Sequence, residues 1–391
     1  MTDLVGRAPR DMPPGDPPLN DDLEPRSRKR RRFLALTAGG IAAAATGGWI
    51  GSHLLRRKGQ VGAGAAGWGG LRGVGQMPAG GGAAASHAIA PGTVVKAAHP
   101  GALDASGAAD PAVIHDMVDA AMARLTGKAD RAAAWASLFS RDDVVAIKVN
   151  CLAAPALSTH PQIVDAIISG LRAAGLPDEN IIIYDRLTHE LERGGFTPNT
   201  RRGVRCLGSD VAGYDAEVTE AGSVGSCLSR VVSELCSAII NVPVVKDHDV
   251  AGVSIALKNH FGSINNPNKQ HENQCTPQVA DLNLFEPIRA KQRLVIADAL
   301  TVTYDGGPAY KPRTSAACKA VLAATDAVAL DAVGLDIIEG LRRRAGLPTL
   351  AAEGRKPKYI AVAADADHNL GVADLSRIRR IEVDLGRGER S

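Results

Sequence analysis

Apolar positions alternate between helical spacing and short continuous runs from about residue 111 to the end of the chain. Residues 111–126 place Val113, Ile114, Met117, Ala120 and Met122 at helical intervals. Val144-Val145-Ala146-Ile147 is a continuous apolar run, as in a strand covered on both faces. Ser158-Thr159-His160-Pro161 then reads as a cap and a first-turn proline. It opens a helix to about Ala174, with Ile163, Ile167, Ile168 and Leu171 inward and Gly175 as the stop. Ile181 to Asp185 is the next strand and ends in a carboxylate. Strand, helix and strand in that order build a parallel sheet. Ala238 to Val242 and Leu294 to Ala297 read as later strands. Asp326 to Arg344 reads as a helix with Val328, Leu330, Val333, Ile337 and Leu341 on its apolar side, and Ile378 to Val383 as a final strand. The expected fold class is α/β: a mostly parallel sheet flanked by helices, in one large domain over residues 91–391.

The pattern before residue 91 is different. Residues 33–52 carry no charge and are mostly Ala, Gly, Leu and Ile, and six basic residues between Arg26 and Arg32 precede them. Arg30 and Arg31, one spacer residue, then Phe33 and Leu34 give the layout of a twin-arginine export signal. Lys29 before the pair and Ala35 after Phe-Leu depart from the usual form. The expected division is a disordered head and basic region at 1–32, a hydrophobic signal or anchor at 33–55, and a Gly/Ala-rich linker at 56–90. The expected partners are the twin-arginine translocation machinery and, through the hydrophobic segment, the membrane. The expected location is the periplasm or the outer face of the cytoplasmic membrane. An uncharged run of roughly 20 residues suits either a cleaved signal or an uncleaved anchor, and Arg56-Arg57-Lys58 behind it keeps the anchor open.

Charge refines this division. Residues 1–90 hold 12 Lys/Arg against 6 Asp/Glu, whereas the remainder holds 33 against 36. The expected globular part is therefore slightly acidic, without a nucleic-acid footprint. None of the six cysteines forms a CxxC pair, so ferredoxin-type and zinc-ribbon spacings are missing. Buried thiols and a disulfide among Cys206, Cys227 and Cys236 are both open readings. Residues 91–391 hold no GxGxxG fingerprint or P-loop, so a nucleotide cofactor is not expected.

Polar residues cluster where the expected strands end, which is where open α/β sheets bind ligands. Lys148, Asp185, Lys246, Lys258 and His271 are the candidate catalytic residues, and Asn150, Ser254, Asn259 and Asp305 the candidate substrate contacts. Converging lysines suit an anionic small molecule. If Ser254 to Phe261 is helical, Ser254 and Lys258 share a face. His248, His260 and Asp298 form a candidate site for a divalent metal. Asp326 suits a helix cap, and Asp331 is an acid placed mid-helix.

Together these pieces resemble the family known as domain of unknown function 362. The resemblance rests on Ile147 to Asn150, His160-Pro161, Ile183 to Asp185, Asn241 to His248, Gly252 to Gly262, Asp298-Ala299, Gly307-Pro308 and Asp326 to Asp331. It spans roughly residues 92 to 385 and implies the fold and the location of the site, but no reaction. Some members of that family look exported by the twin-arginine route, and others carry an iron–sulfur module whose cysteine spacing this chain lacks. Two functions follow: an exported metal-dependent or redox enzyme acting on a small anion, or a tethered, non-catalytic anion-binding protein.

Overall fold

Residues 89–386 are described in the computed structural model and lie within one unit, Gly73–Ser391. The export signal, the hydrophobic segment and nearly all of the linker lie outside these residues. No helix among the described residues is long and apolar enough to cross a membrane.

The continuous apolar runs become strands covered on both faces. β1 (Thr93–Ala98), β2 (Val145–Lys148), β3 (Ile181–Asp185) and β4 (Arg205–Gly208) precede a small hairpin, β5 (Thr219–Ala221) with β6 (Val224–Ser226). Then follow β7 (Ala238–Asn241), β8 (Val244–His248), β9 (Gly252–Ser254), β10 (Gln292–Thr303), β11 (Ser315–Ala324) and β12 (Arg379–Asp384). The main sheet runs β12-β1-β11-β10-β7-β2-β3-β4. Its β10-β7-β2-β3-β4 portion is parallel throughout, and β11 runs antiparallel to both neighbours. The fold is thus α/β with a mostly parallel sheet, as the alternating pattern predicts.

Strand alternation divides the core. Val145 and Ile147 face a layer containing the helices Pro111–Thr126 and Pro161–Ala173 and the buried Trp135. Ala146 and Tyr184 face the opposite layer, with the helix Ala327–Arg344 and Tyr359.

Lys246, Asp247 and His248 lie beyond the expected strand Ala238 to Val242 and form the end of a further strand, β8, which pairs with β10 and turns back through β9. Lys246 lies opposite Ser254 in that hairpin. Strand alternation then sends Asp247 to the other face, where it meets Arg355 at 2.7 Å and accepts from the Gly307 amide. The leap from β8 to β9 needs glycine at Gly252: φ is +81°, and a Cβ there would fall 2.1 Å from the Arg355 carbonyl oxygen.

One pin links distant elements. The His368 ring meets Asp281 on the helix Gln278–Asn283 at 2.8 Å and Asp365 at 2.9 Å. Both ring nitrogens can donate only as imidazolium. Burial opposes that charge, but hydrogen bonds to Asp281 and Asp365, with their charges, outweigh it and hold the pKa above the ordinary value of 6.5. A raised histidine pKa stabilises fully below the unfolded value, and the stabilisation is lost as pH rises through the folded one. His368→Gln should therefore cost on the order of 1 kcal/mol near pH 6 and less near pH 9. Urea denaturation at the two pH values checks this, and an equal cost at both contradicts it.

Candidate functional site

The candidate site is built where β2, β3 and β8 end. β2 delivers Lys148 and, two residues on, Asn150. β3 delivers Asp185, and β8 delivers Lys246 and His248. The four-residue helix Ala256–Asn259 supplies Lys258 and Asn259, and His271 comes from the irregular turns of Pro267–Cys275. A cavity of about 450 Å³ opens here, and Lys148, Asn150, Asp185, Lys258, Asn259 and His271 all line it. Lys246 stands behind its wall, joined to it through Asn150.

Lys148 and Asp185 form a buried ion pair at 2.7 Å. The other contacts of the Lys148 ammonium are donations to the Val149 carbonyl at 2.6 Å and to Asn259 Oδ1 at 3.2 Å. Asp185 also accepts from the backbone N–H of Cys151 at 2.6 Å and of Arg186 at 2.8 Å. The pair is thus neutral and saturated, so Lys148 has no donor left for a ligand. Gly262 presses on it: a Cβ would stand 2.8 Å from Lys148 Nζ and 2.9 Å from Asp185 Oδ1.

Side-chain amides continue this network. Asn150 donates to Asn259 Oδ1 at 2.9 Å, and Asn259 donates to Asn241 Oδ1 at 2.8 Å. Asn241 in turn donates to the Ala256 carbonyl at 2.9 Å and to Gln292 at 2.8 Å. Beneath the short helix, the fully buried Asp331 carboxylate accepts from the amides of Ala256 at 2.7 Å and Leu257 at 3.3 Å. Burial pushes the pKa of Asp331 up to about 8, against the pull of those two amides.

Two further lysines are buried, and neither ion-pairs with a carboxylate among the described residues. Lys246 is 1% exposed and donates to Asn150 Oδ1 at 2.6 Å. Lys258 is 6% exposed, meets His271 Nε2 at 3.2 Å and lies 4.3 Å from the centre of the Phe261 ring. Burial lowers both pKa values to about 8. For Lys246 the charges of Lys258 and Lys148 add to this, and Asp185 opposes it.

The imidazole tautomers follow from their backbone partners. His271 Nδ1 donates to the Pro267 carbonyl at 3.0 Å, which leaves Nε2 as the acceptor for Lys258. His248 Nδ1 faces the amides of Val250 at 3.1 Å and Ala251 at 3.2 Å, so its proton sits on Nε2. The two rings stack with centres 5.5 Å apart. Burial, then the nearby Lys258 charge, drives His248 down to about 2 and also lowers His271, so both are neutral near pH 7.

Other expected residues go elsewhere. Ser254 lines the cavity but belongs to β9, so it shares no helical face with Lys258. Asp305 does not line the cavity; it binds Arg342 at 2.8 Å and Arg355 at 3.2 Å. His248, His260 and Asp298 do not form a common metal site. His260 is fully buried against Gln292 at 2.7 Å. Asp298 holds the ring and amide of His160 at 2.7 and 2.9 Å, and its charge raises the His160 pKa. Among the described residues, no three His, Cys, Asp or Glu side chains are placed to hold a metal. Sequence reasoning missed Phe261, Gly262 and Gln292. Of these only Gly262 carried a signal, a glycine directly after a dense polar run.

Residues 145–336 match the model of a family described as Domain of unknown function (DUF362). This match supports the family resemblance and covers every cavity residue named above. No curated protein and no solved structure matches the chain.

Removing one partner of a buried ion pair strands the other charge. Asp185→Ala should therefore lower stability by about 3–5 kcal/mol, with a similar loss for Lys148→Met. The double variant should lose clearly less than the sum, as measured by chemical denaturation in a double-mutant cycle. Additive losses contradict the coupling.

Proposed function

We propose that the chain is an exported enzyme that binds a small anion in this cavity and moves a proton on it. The observation that carries this reading is Lys258: a buried amine at the cavity wall, held against a neutral imidazole, with no carboxylate in ion-pair contact among the described residues. Near pH 7 most of the Lys258 population still carries a charge, as does Lys246, and for such buried amines an anion is the natural counter-charge. His271 Nε2 can take the Lys258 proton and return it, which is the geometry of a general acid–base pair. His248, with its proton on Nε2, adds a donor in the same cavity.

Acid–base work is better supported than metal chemistry because His248 and His271 lack a third ligand of the His, Cys, Asp or Glu type among the described residues. On this reading the twin-arginine leader carries the folded domain across the cytoplasmic membrane, so its substrate is met outside the cytoplasm.

Small anions should raise the thermal midpoint. A ligand at a hundred times its Kd stabilises by about 2.7 kcal/mol. Thermal shift with acetate, phosphate and citrate checks this against a Lys246→Ala/Lys258→Ala variant verified as folded by circular dichroism. Stabilisation lost in that variant and kept in His271→Gln is the expected result. No stabilisation, or stabilisation that survives loss of both lysines, contradicts the reading.

A further inference from the structure

The three lysines of the site differ in what surrounds their amines. Lys148 has its ammonium engaged by Asp185, Val149 and Asn259. Lys246 lies behind the cavity wall and is turned to Asn150. Lys258 alone lines the cavity with a single polar partner, and that partner is the unprotonated nitrogen of His271. The Phe261 ring packs beside it. Among the described residues no carboxylate pairs directly with the amine, although the Asp249 charge in the same cavity favours its cationic form. A desolvated lysine with a neutral base in contact is placed as a nucleophile.

We propose that Lys258 forms a Schiff base with the carbonyl carbon of a short 2-oxo acid. This deepens the anion-site reading and rests on it: the carboxylate of the acid is drawn by the Lys246 charge and the His248 Nε2–H. In the first step the Lys258 ammonium gives a proton to His271 Nε2. The freed lone pair attacks the carbonyl carbon, a C–N bond forms, and the carbonyl electron pair moves to oxygen. A proton passes from nitrogen to that oxygen to give a carbinolamine. His271 then returns its proton to the hydroxyl, the C–O bond breaks, water leaves, and the nitrogen lone pair completes the C=N bond. The products are a protonated imine and one water, with no oxidant or reductant consumed. A cavity of about 450 Å³ has room for such a molecule.

The full-length protein is incubated with pyruvate and sodium cyanoborohydride, and the trapped lysine is located by peptide mass spectrometry. The expected result is a single dominant reduced adduct on Lys258. It is absent in Lys258→Arg, which keeps a cation but is far less nucleophilic, and it forms roughly 10²-fold more slowly in His271→Gln. Thermal shift with pyruvate and with propionate, which has no reactive carbonyl, runs alongside. Stabilisation by both without an adduct on Lys258 overturns the Schiff base and leaves the anion site standing. Neither stabilisation nor adduct overturns both. A dominant adduct on Lys246 or on surface lysines overturns the assignment to Lys258.

Discussion

Lys148 and Asp185 close an ion pair at 2.7 Å inside the protein, at the carboxyl ends of adjacent parallel strands. Two charges in that place persist only if hydrogen bonds complete their shells. The chain meets this demand with the Val149 carbonyl, the Cys151 and Arg186 amides and the Asn259 side chain. Asn259 is thereby fixed, and with it the short helix that also carries Lys258. Asp331, on the helix Ala327–Arg344, holds the amino end of that short helix. The polar core thus acts as a frame whose members each have a partner, in contrast to the reactive groups it surrounds.

That contrast makes the cavity chemically specific. Asp185 is already committed to Lys148. Lys246 and Lys258 are left as buried amines with no carboxylate in ion-pair contact among the described residues. His248 and His271 are locked as neutral tautomers by backbone groups, so they add a donor and an acceptor without adding charge. Such an arrangement favours an incoming anion and gives Lys258 a base with which to exchange protons.

The alternating pattern made much of the fold legible. β3 falls where Ile181 to Asp185 predicts it, and the helix Ala327–Arg344 begins one residue after its Asp326 cap. Parallel strands buried on both faces leave continuous apolar runs, so these elements announce themselves. β8 was hidden because Lys246 and His248 are polar residues buried for the site, which breaks the apolar signal. Ser254 was misplaced for a related reason: Ile255 breaks the backbone at φ −136° and ψ −133°, and no residue pattern marks that break. The cluster of Lys148, Asn150, Asp185, Lys258, Asn259 and His271 was legible as a set of strand-end polar residues. Which lysine is saturated and which is free was not, because that depends on side-chain distances between residues 13 to 111 positions apart. Asp298 and Asp305 illustrate the limit: each looks like a ligand in sequence, and each is bound by a neighbouring histidine or arginine.

In the function proposed, Lys258 presents an amine without an ion-pair partner among the described residues to a cavity that takes an anion. A crystal structure of the full-length protein grown with pyruvate tests it most directly. The account predicts the ligand in the cavity, its carboxylate within hydrogen-bonding distance of a site donor and its carbonyl carbon at Lys258 Nζ. A cavity that stays empty in crystals holding pyruvate elsewhere, or a Lys258 ammonium paired with a carboxylate side chain, would contradict it.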